Sequence, residues 1–520
     1  MNQHRAPIYE KLQEYVKSSP VSFHIPGHKR RAWSQEGWLK DWFLGDVTEI
    51  TGMDDLHAPE EMIKEAEELA AECFGAEQTF FLVGGSTSGN LALILSVCQP
   101  GDVVLVDRHA HKSVLHGLML ARAKAVFLPV AIDPMSGLPM GTSPAILARA
   151  LERYPVAKAV VLTCPNYYGI GPDIEAIASL SRNASIPLLI DEAHGVHFGF
   201  HEKLPMSAIR QGADAVVQSA HKMGGGLTMG GFLHLRGDRV DPARVRQCLS
   251  MVQTSSPSYP ILASLDAFRK HWAADGSRMI QQGLDAVLSF RLSMQALPRF
   301  AVTDMVQHAL LQSGDAWKRK VDPFKLYIFD RTGELDGYTL QARLEQHNCM
   351  IEMADPRGVL LVFTYASTKE DAQQLFGAFG KCAEISLIDR ETRPIGNEQQ
   401  VGMDDAKNAQ SLSDGEGWSP SELESASSIS DPVDLADWQL PSQTELVPLE
   451  QAKGRKMAEM IIPYPPGIPL VCKGERLTDQ LWMQAIRLRD AGARFQGTED
   501  SKLASVRVIV EGLQEIGERR

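Results

Sequence analysis

The chain is predicted to fold as an α/β protein whose large domain is a mainly parallel sheet covered by helices. Three observations predict this. From Thr79 onward, short apolar runs alternate with stretches of helical rhythm, the pattern of repeated βα units. The strand segments are apolar, as strands covered on both faces require. The residues equipped for chemistry follow those strands directly, and open α/β sheets bind ligands at the carboxyl ends of their strands.

In chain order, residues 1–60 read as an N-terminal arm, with a short helix over Tyr9 to Val16 and an irregular strand broken at Pro26-Gly27. Thr51 to His57 leads through Pro59 into an acidic helix ending near Phe74. The large domain, 61–290, starts its alternation with strand Phe80 to Val83, a loop over Gly84 to Gly89 and a helix over Asn90 to Cys98. Strand Val103 to Val106 follows, then Asp107 to Ser113 and another helix. Strand Ala159 to Thr163 precedes Pro165-Asn-Tyr-Tyr-Gly169 and a helix from Ile174. One further strand ends at Asp191, another (Ala215 to Gln218) leads to Lys222, and a third spans Gly231 to Leu235. A smaller α/β domain, 291–390, is marked by strands Phe324 to Phe329 and Val359 to Phe363, with a helix over Leu340 to Gln346. Residues 391–446 read as an acidic, Ser-rich, mobile linker, because 401–440 holds nine acids and eight serines against one lysine. A C-terminal domain, 447–520, opens with a helix over Leu449 to Met460 and the proline-rich Ile462 to Leu470.

A chain of 520 residues accommodates two or three domains with large cores. Its net charge of −13 argues against nucleic acid or an anionic membrane as partner and is compatible with a cationic substrate. The seven cysteines are scattered without a CxxC, which fits a reduced, cytoplasmic protein. The N-terminus has no apolar signal core, and no run of about 18 apolar residues occurs.

Two segments carry the chemistry. In Asp214-Ala-Val-Val-Gln-Ser-Ala-His-Lys222 a lysine stands at the mouth of a buried strand, where an ammonium loses hydration. Such a lysine either forms an imine with an aldehyde such as pyridoxal phosphate, or snorkels out to water. In Ile186-Pro-Leu-Leu-Ile-Asp191-Glu-Ala-His194 an apolar strand ends in a carboxylate, able to hold a pyridinium protonated or to cap the following turn. The conjunction of the two segments makes pyridoxal phosphate the leading cofactor. Gly84 to Gly89, with Ser86 and Thr87 ahead of a helix, is a phosphate cradle or an ordinary turn. It lacks the GxxxxGK[ST] of a nucleotide loop. Metal sites are not expected: His24 and His28 have no third ligand nearby, and Gly195 and Gly199 oppose a helix that would align His194, His197 and His201.

Phe23-His-Ile-Pro-Gly-His-Lys29, Met53-Asp-Asp-Leu-His57, Gly85-Ser-Thr-Ser-Gly-Asn90 and His109-Ala-His-Lys-Ser113 are specific motifs, as are Asp191-Glu-Ala-His-Gly-Val-His-Phe198, Gln218-Ser-Ala-His-Lys222, Ser255 to Tyr259 and Ile462 to Pro469. Through them the chain resembles the short-form bacterial Orn/Lys/Arg decarboxylases, pyridoxal-phosphate enzymes of the aspartate-aminotransferase fold (fold type I), over nearly its whole length except 391–446. The resemblance implies that Lys222 holds the cofactor covalently, Asp191 pairs with its ring nitrogen, His111 stacks on one ring face and Ala193 contacts the other. It places Gly85, Ser86, Thr87, Ser219 and His221 at the phosphate or around the cofactor, with His194 beside them. It implies a homodimer, or an oligomer built from dimers, with the active site completed across the interface, where Thr228 and Ser255 to Tyr259 would act in trans. The reaction implied is decarboxylation of arginine, lysine or ornithine to the amine and CO2, with His221 or Lys222 returning the proton. Asn166 stands where many relatives have Thr, and Met223-Gly-Gly-Gly-Leu-Thr-Met229 is less bulky than usual. These departures bear on efficiency and substrate choice. The motifs alone also admit an aminotransferase, an aldolase-type lyase or a non-catalytic paralogue. For the substrate's distal cation, Asp54, Asp55 and Glu475 are the candidate partners.

Overall fold

In the computed structural model the chain opens with α1 (Pro7–Ser18), α2 (Leu39–Leu44) and α3 (Met62–Phe74). Strand β1 (Gln78–Leu82) leads into α4 (Gly85–Val97), β2 (Val103–Asp107) into α5 (Lys112–Ala121), and β3 (Lys124–Leu128) into α6 (Pro144–Arg153). Next come β4 (Ala159–Thr163), β5 (Ile170–Gly171), α7 (Ile174–Asn183), β6 (Leu188–Asp191), β7 (Ala215–Ser219), β8 (Gly231–Leu235) and α8 (Pro242–Val252). The long α9 (Tyr259–Met294) leads to β9 (Phe300–Val302), β10 (Lys320–Val321), β11 (Lys325–Asp330), α10 (Gly337–Gln346), β12 (Met353–Ala354), β13 (Gly358–Val362) and α11 (Lys369–Glu384). The chain closes with β14 (Val433–Asp434), β15 (Thr444–Pro448), β16 (Ile462–Tyr464), α12 (Asp479–Asp490), β17 (Arg494–Gln496) and β18 (Ser505–Ile509). The structure describes residues 1–30, 39–133, 138–303, 320–384, 429–435, 443–464, 467–490 and 492–510.

The large sheet runs β1-β8-β7-β6-β4-β2-β3-β14. Its body, β7-β6-β4-β2-β3, is parallel, while β8 lies antiparallel between β7 and β1. From β2 the chain moves outward to β3 and returns to the other side at β4. The strand order therefore reverses between β2 and β4, the crevice where ligands of doubly wound sheets bind. Successive residues of β2 serve opposite faces, as the two-residue strand period dictates. Val104 and Val106 pack with residues of α4, α5 and α8, and Leu105 with residues of α6 and α7.

A second sheet, β12-β13-β11-β9, is antiparallel throughout and shares a core with α9, α10 and α11. The 36-residue α9 joins the two sheets and anchors the N-terminus. Its Asp266 and Arg269 form a fully buried pair. Asp266 accepts the Ile8 N–H at 2.9 Å, and Arg269 donates to the carbonyls of Gln3 and Arg5. Residues 1–18 are thus packed against the core, not a free arm, because a buried ion pair takes up their backbone polar groups.

Three further expectations are corrected. The stretch 449–460 is not a helix beyond the 3-10 turn Leu449–Gln451. Gly454 turns at φ 75°, and the N–H groups of Met457, Ala458 and Ile461 go to Glu475, Arg507 and Val471 carbonyls instead of up a helix. Gly85 to Gly89, expected as loop, forms the first turns of α4. Within the expected linker, 429–435 is packed: Val433–Asp434 pairs with the edge of β3, and Leu435 is 3% exposed in the core beneath it. The rest of 401–440 lies outside the described residues. Among the described residues no helix is long and apolar enough to cross a membrane.

Candidate active site

β6 ends on Asp191 and its parallel neighbour β7 on Ser219, so the loops that follow leave the sheet side by side. Asp191 is buried; its Oδ2 accepts from Asn90 Nδ2 at 2.9 Å and its Oδ1 from the Ala193 N–H at 3.2 Å. Asn90 reaches it because Gly89 lacks a side chain. A Cβ there would stand 2.7 Å from Leu82 and Val217 side-chain carbons, so glycine lets α4 lie directly on the sheet. The Asn90 amide also donates to Ser113 Oγ at 2.9 Å. His111, the N-cap of α5, accepts the Ser113 N–H on Nδ1, with the Ser113 hydroxyl 2.9 Å away. That bond leaves the ring proton of the neutral form on Nε2. Burial lowers the His111 pKa, with the Asp191 carboxylate opposing.

Lys222 follows β7 by three residues. Its Nζ is 3.2 Å from His194 Nε2 and 5.7 Å from the centre of the Tyr167 ring. Burial lowers its pKa, and the Asp191 and Glu352 carboxylates oppose that shift. His194 stands between two lysines, because its Nδ1 lies 3.2 Å from Nζ of Lys325, the first residue of β11. Burial, then the neighbouring Lys325 and Lys222 cations, hold the His194 pKa well below the usual range, so the ring is neutral. Lys325 is 4% exposed, and burial pulls its pKa down to about 8 against Asp322 and Glu352. Beside it the buried His197 and Asp322 pair at 3.0 Å.

Ser219 Oγ donates to Ser86 Oγ at 3.0 Å, joining the end of β7 to the first turn of α4. Helices α6, α7, α8 and α10 are capped by the side chains of Ser143, Asp173, Asp241 and Asp336. At α4, as at α1, α3 and α9, no side chain caps the first turn; its N-cap is Gly84. The Gly85 N–H is taken by the Met229 carbonyl at 2.7 Å. A Cβ on Gly84 would stand 3.0 Å from the Ser88 side chain. His221 is half-buried, with Nδ1 3.1 Å from the Gly230 carbonyl; it donates there, which leaves Nε2 as the exchangeable position.

The structure therefore gathers Gly85, Ser86, Ser219, His111, Asp191, Ala193, His194, His221 and Lys222 at the carboxyl ends of β1, β2, β6 and β7. Thr87 and Thr228 are exposed, and among the described residues no hydrogen bond joins either side chain to this group. Sequence reasoning missed Ser113, Tyr167, Lys325 and Glu352, and gave Asn90 no role. Lys325 was visible by the argument applied to Lys222, a lysine at the mouth of an apolar strand. Of the acids considered for a distal cation, Glu475 is held by Arg108 at 2.7 and 3.0 Å. Asp54 accepts the N–H groups of Glu60, Glu61 and Ile63 ahead of α3, and Asp55 that of His57. Glu475 and Asp54 are therefore committed elsewhere, and Asp55 is held in a local turn.

Residues 6–371 match the family described as Orn/Lys/Arg decarboxylase, major domain, and residues 427–499 its C-terminal domain. The arginine decarboxylase of Bacillus subtilis (strain 168) is 35% identical over 521 residues, 98% of this chain and 99% of that protein. The fold is shared with lysine decarboxylase A from Pseudomonas aeruginosa (TM-score 0.77, 23% identity, 97% of this chain and 80% of that one). It is also shared with an SPT structure containing PLP (TM-score 0.51, 16% identity, 72% of this chain and 84% of that one).

Proposed function

The chain belongs to the Orn/Lys/Arg decarboxylase family, and from that premise we propose that it is a pyridoxal-phosphate enzyme converting L-arginine to agmatine and CO2. The observation that carries the cofactor reading is the placement of a desolvated lysine and a buried, hydrogen-bonded carboxylate on adjacent parallel strand ends. The donor set fits the group. An uncapped helix N-terminus with the Ser86 and Ser219 hydroxyls suits a phosphate dianion, Asp191 suits a pyridinium, and Lys222 suits an aldehyde. Arginine is favoured by the full-length similarity to an arginine decarboxylase.

When bound, pyridoxal phosphate supplies an aldehyde that takes amines covalently and a ring that withdraws electrons from the substrate's α-carbon. Asp191, immobilised by Asn90 and the Ala193 N–H, would hold a proton at the ring nitrogen of the bound group. His111 keeps a fixed ring orientation through Ser113. Lys222, with its proton affinity lowered by burial, gives up a proton at Nζ and is the donor to the α-carbon once CO2 has left. His221 Nε2 is the second candidate for that transfer. Glu352, exposed just ahead of β12 of the second sheet, is close enough for its charge to act on Lys222, Lys325 and Tyr167. It is the acid we assign to the substrate's distal cation. The enzyme is further proposed to act as a homodimer in the cytoplasm.

The test is incubation of purified protein and pyridoxal phosphate with arginine, lysine and ornithine separately, with the amine products identified. Agmatine as the main product is expected. Cadaverine or putrescine in its place would move the substrate, and no amine from any of the three would refute the proposed activity.

A further inference from the structure

Two lysines meet on one imidazole. Lys222 Nζ lies 3.2 Å from His194 Nε2, and Lys325 Nζ lies 3.2 Å from His194 Nδ1. A neutral imidazole has one N–H and one lone pair, so it accepts from one ammonium only. Its N–H needs an acceptor, which a lysine provides only as the free amine. An imidazolium is opposed by burial, and by either lysine that carries its charge. With both contacts made, at most one of the two lysines is protonated. The surrounding charges leave either arrangement open: Asp191 and Glu352 act on Lys222, Asp322 and Glu352 on Lys325, and His111 and His197 on His194. Tyr167 lies against both Lys222 and His194. Asp322 and Asp191 are themselves engaged, by His197 and the Phe324 N–H and by Asn90 and the Ala193 N–H.

We propose that Lys325 is a proton store for Lys222, reached through His194. Lys222 passes a proton from Nζ to Nε2 while the proton on Nδ1 passes to Nζ of Lys325. One N–H bond breaks and one forms at each end, the imidazole changes tautomer and stays neutral, and the net charge is unchanged. The reverse transfer recharges Lys222. Lys325 is in this sense a positioning residue, acting through His194 to set where the proton of Lys222 resides. The inference rests on the reading of Lys222 as the lysine that captures the cofactor.

Two measurements test it. Capture of pyridoxal phosphate by the cofactor-free protein is followed as a visible band against pH, for wild type, Lys325→Gln and Lys325→Arg. Both variants are expected to move the pH midpoint. In Lys325→Gln it rises, and capture near neutrality slows about tenfold for each pH unit by which the midpoint rises. Arginine keeps the charge but cannot release a proton, so it should not restore the wild-type profile. An unmoved midpoint in Lys325→Gln, or full rescue by arginine, overturns the proposal while leaving Lys222 in its role. No capture at Lys222 in wild type at any pH overturns both. Should the variants not fold, nitrogen NMR of His194 in wild type decides. A neutral ring that exchanges tautomer when Lys222 captures the cofactor is expected, and one tautomer throughout, or a ring that titrates as imidazolium, refutes the store.

Discussion

Asp191 has two hydrogen bonds and a buried position, so its exchange for the isosteric amide separates charge from packing. Asp191→Asn is expected to fold, because the shape is kept, and to lose at least about a hundredfold in kcat, roughly 2.7 kcal/mol of barrier. Circular dichroism and turnover measured on one preparation check both halves. Near wild-type turnover would remove the carboxylate from the mechanism. Glu352 is the acid proposed for the substrate's distal cation. Glu352→Gln should raise KM for arginine by about tenfold and leave the cofactor spectrum unchanged, as loss of one charge-assisted contact predicts. Lys325 adds a pH dependence to stability. Its folded pKa, about 8, lies below the ordinary 10.5. Between those values the unfolded chain binds more protons, so stability rises with pH there, by up to about 1.4 kcal/mol for each pH unit. Below about pH 8 both states are protonated and the full penalty is present. Denaturant titrations at pH 8 and pH 10 should show this rise in cofactor-free wild type, and a smaller one in Lys325→Gln.

At the scale of elements, helix α4 and the loops after β6 and β7 form the site because glycine brings α4 onto the sheet. Two expectations concern the acidic region after α11. Removing 401–428 is expected to leave the melting temperature and cofactor binding nearly unchanged, since that stretch has few apolar side chains to bury. Leu435→Ala should cost about 2–5 kcal/mol, because Leu435 fills the core below the β3 edge. Equal tolerance of both changes would show that the β14 pairing contributes nothing. The C-terminal unit is tied to the end of β2 through Arg108, which donates to Glu475 and to the Leu470 carbonyl. A carboxylate that looked available in the sequence is thereby spent on joining two parts of the fold next to His109 and His111.

For the whole molecule, several large apolar side chains stay exposed. Phe23 is 93% exposed, Met251 66% and Met229 51%. The dimer proposed above would cover some of this surface if its interface lies there. Light scattering at micromolar concentration should give twice the chain mass of 57.2 kDa, or an even multiple of it. A monomer with full activity would exclude a site completed by a second copy.

Local pattern alone determined the alternation of strands and helices and the placement of Asp191 and Lys222 at the carboxyl ends of apolar strands, because each depends on a short window of polarity. It did not determine which acids and bases meet. His194 and Lys325 are 131 residues apart, and Arg108 and Glu475 are 367 apart. Nor could it tell that 429–435 leaves an acidic, Ser-rich stretch to close a sheet edge, or that Gly454 ends a helix before it forms. Those outcomes were decided by tertiary structure, because a buried charge takes whichever partner the packed elements bring within hydrogen-bond reach, however far away it lies in the chain.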